Sequence, residues 1–182
     1  MKLFRLISIA LVMIMAYATF SFADSAREID SDASKALTKF YHEIPAGKKF
    51  LEKAKGYVIF PDVKEAGFFF GGKYGEGVLR VNGKSKSFHS ITALSMGFHM
   101  GIQTYSLIIA FTSDEALKNF ILDDDDWETD MDTKIVMAEW TADDDDVDEK
   151  DFGTDMIGFA FDSSGMMGKF AMEGVKFERI TP

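Results

Sequence analysis

Two short runs in this 182-residue chain resemble catalytic or phosphate-binding motifs, and each lacks a part that its chemistry requires. The run Asn82–Ser85 ends like a phosphate-binding loop, but that loop needs a glycine at the position that Val78 holds. The run Ala93–Gly97 is similar to the nucleophile elbow of serine hydrolases, which is a sharp turn between a strand and a helix. Large and small residues alternate through Ser95 without a break, which predicts a straight strand instead. We therefore expect no enzymatic activity.

Metal ligation is equally poorly supported. The chain has no cysteine, which excludes disulfide scaffolds, cysteine proteases, zinc ribbons and iron–sulfur sites. Its histidines are far apart: His42, His89 and His99. An EF-hand register that starts at Asp126 places Met131 at the sharp-turn glycine and Met137 at the bidentate glutamate. The aspartate runs therefore indicate either weak calcium association or solvated acidic loops, and we expect no cofactor and no resident metal.

Charge is distributed very unevenly along the chain. Residues 48–86 carry nine lysines and arginines against four acids, whereas residues 123–155 carry sixteen acids against two lysines. The formal net charge of −10 argues against a nucleic-acid partner, since such proteins need positive surface to meet phosphates. The basic segment suits an anionic surface; the alternative is that both segments are ordinary solvated faces.

A short amphipathic helix is predicted at the start of the basic segment. Phe50 and Leu51 stand among the lysines of residues 48–55, a combination typical of an interfacial membrane anchor. The alternative is that both apolar side chains pack on a sheet. Under the anchor hypothesis, lipid contact is assigned to Lys48, Lys49, Phe50, Leu51, Lys53, Lys55, Lys64, Lys73 and Arg80.

The N-terminus has the pattern that is typical of an export signal. Lys2 and Arg5 precede the apolar run Leu6–Phe20, which is shorter than the roughly 20 residues of a spanning helix. The small residues Ser21 and Ala23 then form a cleavage pattern. We expect residues 1–23 to be a cleaved signal peptide and residues 24–182 to form one periplasmic domain, with a retained membrane anchor as the alternative.

Apolar periodicity predicts three helices. The first covers residues 24–44, the second starts at Pro45 and ends at Gly56, and the third covers residues 114–122 behind a capping box of Thr112 and Glu115.

The strands are predicted from runs and alternation. Tyr57–Phe60 and Tyr105–Phe111 are apolar strands, Asn82–Gly83 is a hairpin turn, and Ala93–Ile102 is one strand whose large residues face the core. Further strands are expected within residues 134–140, 155–161 and 175–180. The fold class is α+β: N-terminal helices and one further helix packed on a strongly curved, mostly antiparallel sheet, barrel-like at the extreme.

Several glycine-rich motifs in order resemble the SYLF family of lipid-binding domains. They are Lys55–Pro61, Lys64–Phe68, Gly71–Val78, Gly97–Gln103, Ser113–Leu117 and Gly165–Phe177. The resemblance spans residues 29–182 and implies a lipid-binding domain, found in bacterial exported proteins, that binds anionic lipids or phosphoinositides through its N-terminal helical region and basic residues.

The expected function is non-enzymatic lipid binding in the bacterial cell envelope, with an anionic phospholipid surface as the partner. Two alternatives remain. One is a protein-interaction or envelope-stress module with an unidentified protein partner, and the other is a carrier of an apolar ligand within the curved sheet.

Overall fold

The computed structural model describes residues 25–67, 70–96, 101–122, 127–128, 135–138, 153–165, 172 and 174–182. The expected signal peptide and the aspartate runs 123–126 and 143–146 lie outside the described residues. Within the described ranges the predicted fold class is confirmed: helices pack on a mostly antiparallel sheet that curls into a half-barrel.

The predicted helices form close to their expected bounds. They are α1 (Ala26–Glu43), α2 (Pro45–Lys53) and α3 (Asp114–Leu122). Ser25 caps α1 in a capping box with Glu28, and Pro45 occupies the first turn of α2, where its missing N–H costs nothing. The predicted cap of α3 is wrong by one residue: the Ser113 hydroxyl accepts from Ala116 N at 3.1 Å, while Thr112 bonds to the Thr154 carbonyl.

Eight strands are present in the described part of the chain. They are β1 (Gly56–Gly67), β2 (Phe70–Val81), β3 (Lys84–Met96), β4 (Gly101–Phe111), β5 (Trp127–Glu128), β6 (Ile135–Met137), β7 (Met156–Gly165) and β8 (Val175–Ile180). Their order across the sheet is β5-β8-β3-β2-β1-β4-β7-β6, and the neighbours are antiparallel except β6 and β7. A β-bulge between Phe60 and Val63 adds one residue to β1 relative to β4. Phe60 therefore pairs with Leu107 and Val63 with Tyr105, and the inner-face residues of the two strands stay opposite one another on both sides of the bulge.

The sheet buries a separate core on each face. On its inner face, the Phe60 ring of β1 lies 5.7 Å from the Phe177 ring of β8, although two strands separate them, so the sheet is strongly curled. The Phe120 ring of α3 lies 5.8 Å from the Phe177 ring on the same face. On the outer face, Phe40 of α1 and Phe50 of α2 both pack edge-on against Phe159 of β7.

Local turn chemistry gives the hairpin between β2 and β3. Asn82 and Gly83 have φ values of 52° and 70°, which suit a two-residue hairpin turn, so this prediction is confirmed.

The prediction of one strand over 93–102 is wrong, because Leu94 belongs to β3 and Ile102 to β4, which are separated by two other strands. Gly101 has a φ of 148°, a conformation that favours glycine.

Candidate functional site

On the outer face, α1 and α2 pack over the first half of β1, and no helix of the described residues covers the far end of the strands. Cross-strand neighbours there share a face and form rows. The row nearest the strand ends joins Leu94, Gly72, Ala66 and Ile102 across β3, β2, β1 and β4. Leu94 is 93% exposed and Ile102 is 72% exposed. We call these four residues the apolar row.

A second row lies two residues further from the strand ends. It joins residues of β8, β3, β2, β1 and β4, in that order: Lys176, Thr92, Tyr74, Lys64 and Thr104. Lys64 is well exposed and Lys176 is partly exposed. We call this set the basic row, since both of its charged members are lysines.

A third row follows after another two residues. Glu178, Ser90 and Glu76 are paired across β8, β3 and β2, and Asp62 lies in the β1 bulge beside them. We call these four residues the acidic row. Because alternate residues of a strand are about 7 Å apart, the outer face changes from apolar to basic to acidic within about 14 Å.

The apolar and basic rows bound an open cavity of about 980 Å³, which we call the strand-end groove. This volume is at the upper end of the range for small-molecule sites. Glu65, Lys73 and Ala93 border the groove through their strands. They alternate with the groove-facing residues, and Lys73 Nζ lies 5.8 Å from the Tyr105 ring of the inner core, so these side chains belong to the inner face.

A buried polar cluster lies on that inner face behind the groove. Lys73 Nζ is 3.7 Å from Glu65 Oε2, and the same oxygen accepts from Gln103 Nε2 and the Tyr105 hydroxyl at 3.2 and 3.4 Å. Burial lowers the pKa of the Lys73 ammonium and raises the pKa of the Tyr105 hydroxyl. Since Lys73 is enclosed by this cluster, its assignment as a lipid contact is wrong.

Arg80 is also withdrawn from solvent. Its Nη2 donates to Asp30 Oδ1 at 3.0 Å and to Ser34 Oγ at 2.8 Å, so it fastens α1 to β2. The Ser85 hydroxyl and then Arg80 bond to Asp30 and hold the pKa of that carboxyl below its usual range. The assignment of Arg80 to lipid contact is therefore wrong as well.

In the fold, the lysines of the predicted membrane anchor lie at the surface, whereas its two apolar side chains do not. Lys48, Lys49, Lys53 and Lys55 are exposed. Phe50 and Leu51, in contrast, are 0% and 4% exposed and belong to the outer core beneath the helix. The expectation that these two side chains enter a bilayer is wrong, because an amphipathic helix on a sheet turns its apolar stripe inward.

No family model and no curated protein matches the chain. The likeness of its glycine motifs to SYLF domains therefore stays a prediction from the sequence, and the groove is interpreted from its own chemistry.

Two further findings concern what the site can hold. None of the helices in the described ranges is long and apolar enough to cross a membrane. The described residues also contain no group of three or more acids and histidines placed to bind a metal ion. The EF-hand register from Asp126, which the sequence already fails to match, falls mostly outside those residues.

Sequence reasoning missed the residues that make the groove distinctive. The predicted strand 93–102 placed both Leu94 and Ile102 in the core, and Lys176 was part of the SYLF-like motif Gly165–Phe177 without an assignment to lipid contact. Lys64, which was assigned to lipid contact, lies in the basic row. Neither Leu94 nor Ile102 has a basic residue within two positions in the sequence, so only the pairing of distant strands reveals that Lys64 and Lys176 lie in the next row.

Proposed function

We propose that this protein binds lipid without enzymatic chemistry and docks on anionic phospholipid membranes of the bacterial cell envelope through the strand-end groove. The observation that carries the proposal is the exposure of Leu94 and Ile102 beside Lys64 and Lys176. Exposed apolar side chains next to lysines are typical of surfaces that lie at a bilayer interface, where ammonium groups meet lipid phosphates. The SYLF-like motifs support the same function.

The groove can supply a modest affinity. Burial of one large aliphatic side chain contributes roughly 1.5–3 kcal/mol, and a lysine near an anionic leaflet contributes about 1 kcal/mol. Leu94, Ile102, Lys64 and Lys176 together would then give roughly 5–8 kcal/mol, which corresponds to dissociation constants between millimolar and micromolar. This is the range of a reversible peripheral protein.

The C-terminal end of α2, which leads through Lys55 into β1, lies far from the groove. Lys55 directly precedes β1, whereas Ala66 lies near its end, and ten strand residues span about 30 Å. That separation exceeds the Debye length of about 8 Å at physiological salt. We therefore assign direct lipid contact to the groove and give the lysines of α2 a secondary electrostatic role.

The test is co-sedimentation with vesicles of phosphatidylglycerol and phosphatidylcholine at low salt. We expect the mature protein to bind the anionic vesicles, and the double variant Leu94→Ser with Ile102→Ser to lose at least tenfold in affinity. The matched control replaces Lys48, Lys49 and Lys53 with Gln, and it should retain most of the binding. Absence of binding by the wild type, or a loss confined to the helix variant, would contradict the proposal.

The alternative of an apolar-ligand carrier is favoured by one observation, the size of the groove. The interior of the curl does not offer such a site in the described residues that line it, because Phe60, Tyr105 and Phe177 are almost fully buried there. Lipid mass spectrometry of the natively purified protein distinguishes the two functions. A carrier retains one lipid species in detergent-free buffer, whereas a docking protein releases lipid with the membrane.

A further inference from the structure

The three rows on the outer face have a fixed order along the strands, and this order has a geometric consequence for docking. On β1, Ala66, Lys64 and Asp62 follow one another away from the strand end. On β8, Lys176 and Glu178 follow in the same sense, as do Tyr74 and Glu76 on β2. β1 therefore carries the full order from apolar to basic to acidic, β8 carries its basic and acidic steps, and β2 contributes Glu76 at the acidic end.

A bilayer interface has the same order of layers. Acyl chains come first, lipid phosphates follow, and water lies outside them, with interfacial side chains reaching about 5–10 Å into the boundary. The spacing of about 7 Å between rows matches that depth. The apolar row would then lie in the acyl boundary while the basic row lies at the phosphates.

Ion pairs join the basic row to the acidic row, and they are weak enough for lipid phosphates to replace the carboxylates. Lys64 Nζ lies 3.0 Å from Asp62 Oδ2, and Lys176 Nζ lies 3.1 Å from Glu178 Oε1. Both pairs are open to solvent, where such pairs contribute about 0–1 kcal/mol. Exchanging either of these ion pairs for one with a lipid phosphate therefore costs little.

Docking with the sheet flat on the membrane is unfavourable. It would bring Glu76, Glu178 and Asp62 against the lipid phosphates, and juxtaposed like charges oppose binding. Docking through α2 would leave Leu94 and Ile102 in water. Only an approach with the strand ends foremost places the apolar row in the acyl boundary, the basic row at the phosphates and the acidic row in water.

We infer that the protein docks on an anionic bilayer with its strand ends foremost, the apolar row in the acyl boundary, the basic row at the phosphates and the acidic row in water. The inference rests on the proposed function and specifies its geometry. The acidic row sets the depth at which insertion stops.

The chain contains no cysteine, so single labels can be introduced without background. Four variants each carry one environment-sensitive fluorophore: Ala66→Cys in the apolar row, Thr104→Cys in the basic row, Asp62→Cys in the acidic row and Lys48→Cys on α2. Each is mixed with phosphatidylglycerol vesicles containing lipids spin-labelled at known depths, and co-sedimentation is measured on the same samples.

The expected result is a large blue shift and deep quenching at position 66, a smaller shift at 104, and no shift at 62 or 48. Vesicle binding with equal shifts at 62 and 66, or with a shift at 48, would overturn the docking geometry and leave the lipid-binding function standing. A shift at 66 that grows with protein concentration without vesicles would overturn it in favour of self-association. Absence of co-sedimentation would overturn the function together with the geometry.

Discussion

His89 is a buried titratable residue on the inner face of β3. It is 5% exposed, its Nε2 lies 2.8 Å from the Ser87 hydroxyl, and its ring centroid lies 4.8 Å from that of Phe120. Burial, with a smaller contribution from the charge of Arg179 opposite it on β8, lowers the pKa of His89 to about 4. The folded protein therefore keeps this imidazole neutral at pH values where an unfolded chain would protonate it.

This pKa predicts a loss of stability in mild acid. The unfolded state binds more protons than the folded state between pH 6.5 and about 4, so the contribution of His89 is complete above pH 6.5 and decreases as the pH falls through that window. Between pH 7 and pH 5 we expect a loss of about 2 kcal/mol in the free energy of unfolding, measured by urea denaturation. In the variant His89→Gln the loss over the same interval should be much smaller; an equal loss would assign the acid sensitivity to other groups.

The apolar stripe of α2 shows what the sequence alone could not decide. Phe50 and Leu51 form an apolar stripe among lysines, and that pattern describes a membrane anchor and a helix packed on a sheet equally well. Only the position of β7 beneath α2 decides between them, because Phe50 contacts Phe159, which is more than a hundred residues away in the chain. Lys73 and Arg80 were misassigned for the same reason, since their carboxylate partners Glu65 and Asp30 are recognised only once β2 lies beside β1 and beneath α1.

At the scale of elements, the close pairing of β1 and β2 depends on Gly77. A Cβ at this position would overlap the carbonyl oxygen of Ile59 and lie 2.6 Å from Cδ1 of Phe60, both on the neighbouring strand. Gly72, on the same strand, would place its Cβ no closer than 3.8 Å to the Ala93 carbonyl oxygen. The two glycines therefore have different roles, although both read as breaks in a strand pattern.

The substitution Gly77→Ala should destabilise the protein by about 2–3 kcal/mol, because backbone must move to admit the methyl group. Gly72→Ala is the matched control. It should change the free energy of unfolding by less than about 0.5 kcal/mol. Thermal and urea unfolding followed by circular dichroism measure both, and equal effects of the two substitutions would contradict a specific close approach at Gly77.

The helices and the β2–β3 hairpin were predictable because their signals are local. Ile29, Ala33 and Phe40 recur at helical spacing, and the Asn82–Gly83 pair specifies its turn. Strand order is not local, and a ten-residue alternation cannot reveal that the chain reverses within it. The assignment of Leu94 and Ile102 to one core-facing strand therefore failed, and with it the sequence-based view of the binding surface.

At the scale of the whole molecule, the fold distributes the basic segment over different places. The lysines of α2 lie at one end of β1, Lys64 lies in the groove at the other end, and Lys73 and Arg80 are buried with acidic partners. A count of charge along the sequence treats them as one patch. Of the basic segment, Lys64 joins Lys176 in the basic row, where the acidic row partly neutralises both lysines.

This arrangement predicts that the acidic row restrains membrane binding. The double variant Asp62→Asn with Glu178→Gln removes the carboxylates paired with Lys64 and Lys176, and each charge near an anionic leaflet is worth about 1 kcal/mol. We expect its affinity for phosphatidylglycerol vesicles to rise at least fivefold at low salt, and the gain to shrink at high salt as screening increases. The matched control, Asp32→Asn with Glu43→Gln, removes the same charge from α1. A similar gain in the control would mean that net charge alone governs binding, whereas a gain confined to the first variant places the restraint at the groove.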